Sequence, residues 1–278
     1  MSEVDVRQVR ESTEQEIVDQ TTVRAALGVA DEFDATTEVE RRIDFLADYL
    51  ERSGAAGYVL GISGGVDSTV AGRLASIACD RLGRSFTAVR LPYGVQRDEV
   101  DAAAAVAFIG PTTTVTIDIK PAVDALHAAI NTGDVTVELA DFVKGNIKAR
   151  QRMAAQYAVA GRLGSLVVGT DQASEAVMGF FTKYGDGAFD VGPLLGLTKA
   201  RVLALGRELG APAHLVEKVP TADLEDLRPA LPDEVAYGVT YAEIDAYLVG
   251  DEVGERARTA IEDAYRRTAH KRRLPPGP

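Results

Sequence analysis

Residues 63–68 read Ser-Gly-Gly-Val-Asp-Ser, directly after the short apolar run Tyr58-Val59-Leu60, then Gly61 and Ile62. Two glycines, two hydroxyls and a carboxylate in one tight turn between a strand and a helical stretch suit the capture of a polyphosphate. A turn that ends at a helix N-terminus aims free backbone N–H groups outward, and these groups and the helix dipole attract phosphate. Gly64 and Gly65 let the backbone come close with no Cβ in the way, and Ser63 and Ser68 can donate hydroxyl hydrogen bonds. Asp67 would repel a phosphate unless a Mg²⁺ stood between them, a cation that favours carboxylate and phosphate oxygens. The string is neither a P-loop, since no lysine occurs in residues 61–70, nor the GxGxxG dinucleotide fingerprint.

Further candidates lie downstream. Glu175 sits in GTDQASEAV, Asp186 is flanked by Gly185 and Gly187, Lys199 follows Thr198 at a helix start, and Thr221 follows Pro220. Each also has a plain structural reading: a solvated helix residue, a turn aspartate, a capping or surface lysine, a turn threonine.

These residues need a scaffold, and the hydrophobic pattern supplies one. Strands are expected at 57–62, 86–91, 114–119 and 166–170, with helical segments at about 66–82, 97–109, 120–131 and 138–163 between them. Ile43, Leu46 and Leu50 add a helix over 38–52. Such alternation predicts an α/β fold, an open parallel sheet with helices on both faces. Ligands of such sheets bind beyond the carboxyl ends of the strands, where the 61–68 turn falls. The 278 residues are expected to form a single domain, with an N-terminal helical arm over 1–37 and a helical C-terminal part. Residues 217–238, with three prolines and little periodicity, are read as a surface loop or as a mobile lid. On the 138–163 helix, Leu139, Phe142, Val143, Ile147, Met153 and Tyr157 line a face that is either core or subunit interface.

Bulk properties narrow the function. The formal charge of −12 argues against a nucleic-acid partner. No apolar run is long enough to span a membrane, and the polar, acidic N-terminus is no secretory signal. One cysteine and three scattered histidines make disulfides and zinc poor expectations. A cytoplasmic location follows.

The string SGGVDS after an apolar strand resembles the pyrophosphate-binding loop of the N-type ATP pyrophosphatases, which cleave ATP between the α- and β-phosphates. Within that group, RLPYG (90–94), FVKGNIKARQRM (142–153), VVGTDQASEAVMGFFTKYGDG (167–187), LTKARV (197–202), PTADL (220–224) and HKR (270–272) are similar, in order, to the ammonia-dependent NAD synthetases. Val66 and Gln172 depart from the residues common there, Gln and His. The resemblance implies an adenine nucleotide alpha hydrolase-like, Rossmann-like fold. The reaction it implies amidates deamido-NAD with ammonia at the expense of ATP, through an adenylated intermediate. ATP would be held by Gly61, Ile62, Ser63, Gly64, Gly65, Val66, Asp67, Ser68, Arg90, Thr170, Lys199 and Thr221, and Mg²⁺ by Asp67 and Glu175. Deamido-NAD would be held by Arg150, Lys183, Asp190, His270 and Lys271, with Phe142 and Phe180 as candidate stacking rings. Asp186 is the candidate to attract ammonium and take its proton.

The family is homodimeric, with deamido-NAD bound where the subunits meet. Its glutamine-dependent members carry an additional amidase domain, for which this sequence has no room, so ammonia is expected from solution or from a separate partner. Two alternatives stand beside this reading: another adenylating ATP pyrophosphatase, and an ATP-binding sensor on the same fold that does not turn over.

Overall fold

Side chains alternate across the strand Gly57–Gly61, and both of its faces are buried. That pattern requires cover above and below, as in a parallel sheet. The computed structural model describes residues 18–94, 99–130, 136–222, 226–227 and 231–277. In chain order the elements begin with α1 (Gln20–Ala26), α2 (Ala35–Ser53), β1 (Gly57–Gly61), α3 (Val66–Leu82), β2 (Ser85–Arg90), α4 (Glu99–Ile109), β3 (Thr113–Thr116), α5 (Lys120–Ile130) and α6 (Val137–Leu163). They continue with β4 (Leu166–Val167), α7 (Ala173–Met178), α8 (Lys199–Glu208), α9 (Ala213–Val216), β5 (Thr221–Ala222), β6 (Leu231–Pro232), α10 (Asp233–Tyr237), α11 (Tyr241–Val249), α12 (Glu255–Arg267) and α13 (Ala269–Arg272).

The main sheet has the order β3-β2-β1-β4, all parallel. Gly57 lies opposite Ser85 and Gly61 opposite Val89 in one ladder, and Tyr58 opposite Leu166 in the other. Tyr58, Leu60, Phe86 and Ala88 form a core with α2, α3, α4 and α8. Val59, Val89 and Val167 pack on the other face against α5 and α6. Chain order reverses at β1, whose neighbours β2 and β4 follow in opposite directions, so the turns after β1 and β4 flank a crevice at the carboxyl edge.

Local chemistry fixes the elements. The Asp34 side chain accepts from Thr37 N–H at 2.8 Å to start α2, and Gly54 ends it at φ 68°. The expected strands over 114–119 and 166–170 are shorter in the structure. Beyond Thr116, Ile117 and Ile119 donate singly to the Arg90 and Pro92 carbonyls. Beyond Val167, Val168 turns to bridge Val191. Cys79 is buried on α3, with its thiol pushed up to about 12 by burial.

The described part of the expected N-terminal arm packs on its own chain. Gln20 Nε2 donates to the carbonyls of Tyr247 and Asp251 at 2.9 and 2.8 Å, and Arg24 Nε to that of Leu248 at 2.8 Å, so the arm caps the end of α11. Residues 1–17 lie outside the described residues. A third core joins α1, α7, α11 and α12 through Val23, Val177, Tyr247, Leu248 and Ile261.

At the carboxyl edge of β1, Gly64 has φ 85°, and a Cβ there would lie 2.7 Å from the Ala102 backbone nitrogen of α4. Gly65 has φ −82°, and a Cβ would meet only Ser63 Oγ, at 3.4 Å. Gly64→Ala should therefore destabilise the protein by roughly 1–3 kcal/mol, the usual cost of a strained backbone position. Gly65→Ala should stay within about 1 kcal/mol in urea melts. Equal stability of the two variants would contradict this account of the turn.

Candidate active site

The turn after β1 is tied to itself and to α6. Gly61 N–H donates to Gln156 Oε1 at 2.7 Å, Gly65 N–H to Ser63 Oγ at 3.2 Å, and Ser68 Oγ to the Gly65 carbonyl at 3.0 Å. The Ser63 and Ser68 hydroxyls lie 3.1 Å apart. Gly65 is the N-cap of α3, and no side chain caps this helix end. A helix start without a side-chain cap suits an anion. Ile62 and Val66 are buried and hold the turn from beneath.

Three charged groups converge beside it from separate elements. Asp67 stands in the first turn of α3, Glu175 in the first turn of α7 and Lys199 at the first residue of α8. Lys199 Nζ lies 2.5 Å from Asp67 Oδ2 and 3.7 Å from Glu175 Oε1. The lysine side chain is only 4% exposed. Burial disfavours its charge, yet the Asp67 and Glu175 carboxylates outweigh that and hold the ammonium above its usual range. Burial and the Asp67 charge push the Glu175 carboxyl well up, opposed by Lys199.

Residues that the sequence reading did not single out complete this cluster. The Tyr241 hydroxyl donates to Asp233 Oδ2 at 2.9 Å and lies 3.2 Å from the Tyr237 hydroxyl. The Lys199 ammonium stands 5.4 Å from the centre of the Tyr241 ring. Burial, and then the Glu175 charge, raise both phenols, so they stay protonated. Asp171, in GTDQ, is pushed up to about 8 by burial and by the charges of Asp186 and Asp67. The clue to Asp171 in the sequence was its place after an expected strand. Asp233 and the two tyrosines gave no comparable signal.

A second group forms beyond the acidic cluster. Lys183 Nζ donates to the His270 carbonyl at 2.7 Å, and Arg150 Nη2 to the Lys183 carbonyl at 3.3 Å. Lys271 Nζ donates to the carbonyls of Gly179 and Phe181, both at 2.8 Å. Asp186 accepts the Thr182 N–H at 2.9 Å. Burial of its surroundings pushes its carboxyl up against the Thr182 bond and the Lys271 charge. The residue itself is open to solvent, which screens that push. The structure thus brings Arg150, Lys183, His270, Lys271 and Asp186 together from α6, the segment after α7, and the C-terminal helix α13. Tyr184, within this group, has φ 60°, a conformation that non-glycine residues seldom adopt.

The remaining sequence candidates are placed as follows. Arg90, at the end of β2, is paired to Glu99 at the start of α4. Thr170 is half-buried beyond β4. Asp190 accepts from Val167 N–H at 2.7 Å and lies 3.3 Å from the Tyr157 hydroxyl, so both oxygens support β4 and α6. Phe180 packs edge-on against Tyr237, centroids 4.7 Å apart. Phe142 is 55% exposed on α6, whereas Ile147 of the same helix is buried. Thr221 opens β5, and its side chain lies outside the described residues. The 217–238 segment contains the β5–β6 pair and α10, more regular structure than its sequence suggested.

Mg²⁺ can be tested against these donors. Among the described residues no three His, Cys, Asp or Glu side chains are placed to hold a metal ion. Asp67 and Glu175 supply two carboxylates, and Asp67 Oδ1 is a buried oxygen with no hydrogen-bond partner. Two carboxylates completed by substrate phosphates and water fit Mg²⁺, which seldom takes an all-protein cage.

A parallel sheet with a glycine turn and buried charges at its carboxyl edge defines an α/β nucleotide-binding enzyme. The chain belongs to the NAD synthase family, whose model matches residues 38–275. It is 58% identical to an NH₃-dependent NAD⁺ synthetase of Streptomyces coelicolor, over 91% of this chain and 94% of the relative. It is 56% identical to one from Nocardia farcinica, with the same coverage. The crystal structure of NAD⁺ synthetase from Burkholderia pseudomallei superposes with a TM-score of 0.80 at 51% identity, covering 92% of this chain and 96% of that one. A structure of NMN synthetase from Francisella tularensis also gives 0.80, at 36% identity, covering 89% and 99%.

The Asp171 shift makes a pH prediction. A carboxyl raised by folding keeps its proton in the folded state between 3.8 and about 8. In that window the folded state binds more protons than the unfolded one, so stability falls as pH rises, and the full penalty is present above about 8. Asp171→Asn removes the penalty. Its Tm should fall less than that of the wild type from about pH 5 to about pH 8. Parallel Tm profiles would contradict the assignment.

Proposed function

We propose that this chain makes NAD by amidating deamido-NAD with ammonia, consuming ATP and releasing AMP and pyrophosphate. The observation that carries this reading is the convergence of Asp67, Glu175 and Lys199 at the turn after β1, in a chain of the NAD synthase family. A carboxylate oxygen is a very poor leaving group, so the nicotinate carboxylate first attacks the α-phosphate of ATP. Gly61 to Ser68 surround the phosphates, and Lys199 turns from Asp67 toward the charge that builds on the departing pyrophosphate. Mg²⁺, held by Asp67 and Glu175, would supply charge neutralisation between these carboxylates and the phosphates. Arg90 and Thr170 hold the adenosine half of ATP, and Thr221 adds a phosphate contact from the 217–238 segment, which acts as a lid.

Arg150, Lys183, Asp190, His270 and Lys271 hold deamido-NAD, with Phe142 and Phe180 beside its rings. In the second step ammonia attacks the activated carbonyl and AMP leaves. Asp186, between this group and Asp171, attracts ammonium and accepts the proton it must lose before it can attack. On this reading the reaction runs in the cytoplasm. Among the described residues, no helix is long and apolar enough to cross a membrane.

The active form is a homodimer. Leu126 and Ile130 of α5 and Val137, Leu139 and Phe142 of α6 are each more than 40% exposed. Clustered exposed apolar side chains of this kind mark an interface. Leu139→Asp combined with Phe142→Asp should shift sedimentation from dimer to monomer. An unchanged dimer would move the interface elsewhere.

The reading is tested by following NAD, AMP and pyrophosphate together with ATP, Mg²⁺, ammonium and deamido-NAD, or with nicotinate mononucleotide in its place. Equal yields of all three products with the dinucleotide support it. The similarity to an NMN synthetase gives the mononucleotide arm its purpose, and preference for that acceptor would change the substrate. ATP binding without cleavage would favour a sensor. Lys199→Ala should lower kcat by about 10²-fold or more, the usual loss of a group that stabilises transition-state charge. Asp186→Ala should slow amidation more than adenylation in single-turnover measurements, and equal losses in both steps would remove its proposed role.

A further inference from the structure

Asp245 of α11 lies outside every group assigned above. Its residue is 9% exposed, and its carboxylate accepts hydrogen bonds from the starts of both α7 and α8. Oδ1 accepts the Ser174 hydroxyl at 2.5 Å and the Lys199 N–H at 3.3 Å, and Oδ2 accepts the Ala200 N–H at 2.6 Å. The Ser174 hydroxyl in turn accepts the Lys199 N–H at 3.0 Å. Ala173 N–H donates to the Leu197 carbonyl at 2.7 Å, so the two helix starts abut. Ser174 precedes Glu175, and Lys199 and Ala200 open α8. The first N–H groups of a helix have no partner within it, and a carboxylate placed there satisfies them and complements the helix dipole. The hydroxyl of Thr198, the N-cap of α8, accepts the Arg201 N–H at a long 3.4 Å.

We infer that Asp245 is a positioning residue: it locks the starts of α7 and α8 together and so sets the separation of Glu175 from Lys199. This inference rests on the reading of those two residues as the Mg²⁺ ligand and the phosphate lysine. A burial penalty raises the Asp245 carboxyl, and the Ser174, Ala200 and Lys199 hydrogen bonds oppose that rise. A carboxylate alone can accept from all of these donors at once. An amide cannot: with its oxygen toward Ser174 and Lys199, its NH₂ faces the Ala200 N–H.

The test uses Asp245→Asn and Ser174→Ala in the full chain, with Asp34→Ala as a control that removes the cap of α2 far from the site. Thermal melts, KM and kcat for each substrate, and calorimetric binding of ATP with Mg²⁺ are compared. The expected result is a weakening of ATP binding and a rise in its KM, by about tenfold or more for Asp245→Asn, as for loss of a buried charged hydrogen bond. Ser174→Ala should show a smaller change, with the KM for deamido-NAD unchanged and Asp34→Ala normal in both constants. If Asp245→Asn lowers only the melting temperature, as Asp34→Ala should, the inference is overturned. Glu175→Gln and Lys199→Ala are measured beside it. If they leave ATP binding and turnover intact, the reading of the site fails first and the inference falls with it. If they impair ATP use while Asp245→Asn does not, only the inference fails.

Discussion

Lys199 sets the electrostatic balance of the site. Its ammonium is almost fully buried and stands between two carboxylates from different helices. Without it, Asp67 and Glu175 would face one another in a region of low polarisability, and removing one partner from a buried ionic group typically costs about 3–5 kcal/mol. With it, the site is a compact polar knot beside a helix start that no side chain caps. Such knots seldom add net stability compared with apolar packing. Their presence beneath a glycine turn is better explained by work on a charged ligand. The surrounding phenols fit this view, because Tyr237 and Tyr241 stay protonated and supply dipoles without adding charge.

The rest of the fold serves that knot. The order of the sheet brings the turns after β1 and β4 to one crevice, and the helices that leave those turns carry Asp67 and Glu175. The third charge arrives on α8, which packs with α2 and α3 in the core on one face of the sheet. The group of Arg150, Lys183, His270 and Lys271 is assembled differently. It is held largely by bonds to the carbonyl oxygens of Gly179, Phe181, Lys183 and His270. One site is therefore built on rigid helix starts and the other on loops and a short terminal helix.

Local patterns in the sequence resolved much of this. Alternation and helical spacing placed the strands and the long helices, because those periods reflect burial within one element. Ile43, Leu46 and Leu50 are fully buried as their spacing implied. The turn at 63–68 was legible because its chemistry is contiguous. Asp67 and Glu175 could be paired only through family resemblance, since nothing local in GTDQASEAV separates a ligand from a solvated helix residue. Asp233, Tyr241 and Asp245 were illegible for a plainer reason: each acts across a long chain separation, through a burial that only tertiary packing creates. The resemblance also could not foresee that Gly64 is required by the backbone of α4, or that the oxygens of Asp190 brace β4 and α6.

The first turn of α4 holds no group with chemistry of its own, yet three parts of the site rest on it. The backbone at Asp101 and Ala102 presses against Gly64, Glu99 holds the guanidinium of Arg90, and the Asp101 carboxylate lies 2.7 Å from Lys218 at the foot of the 217–238 segment. These supports share a single footing, as the legs of a tripod share one head. The turn, the arginine and the foot of the 217–238 segment therefore keep a common frame of reference, and a tilt of α4 would carry all three in register rather than separating them.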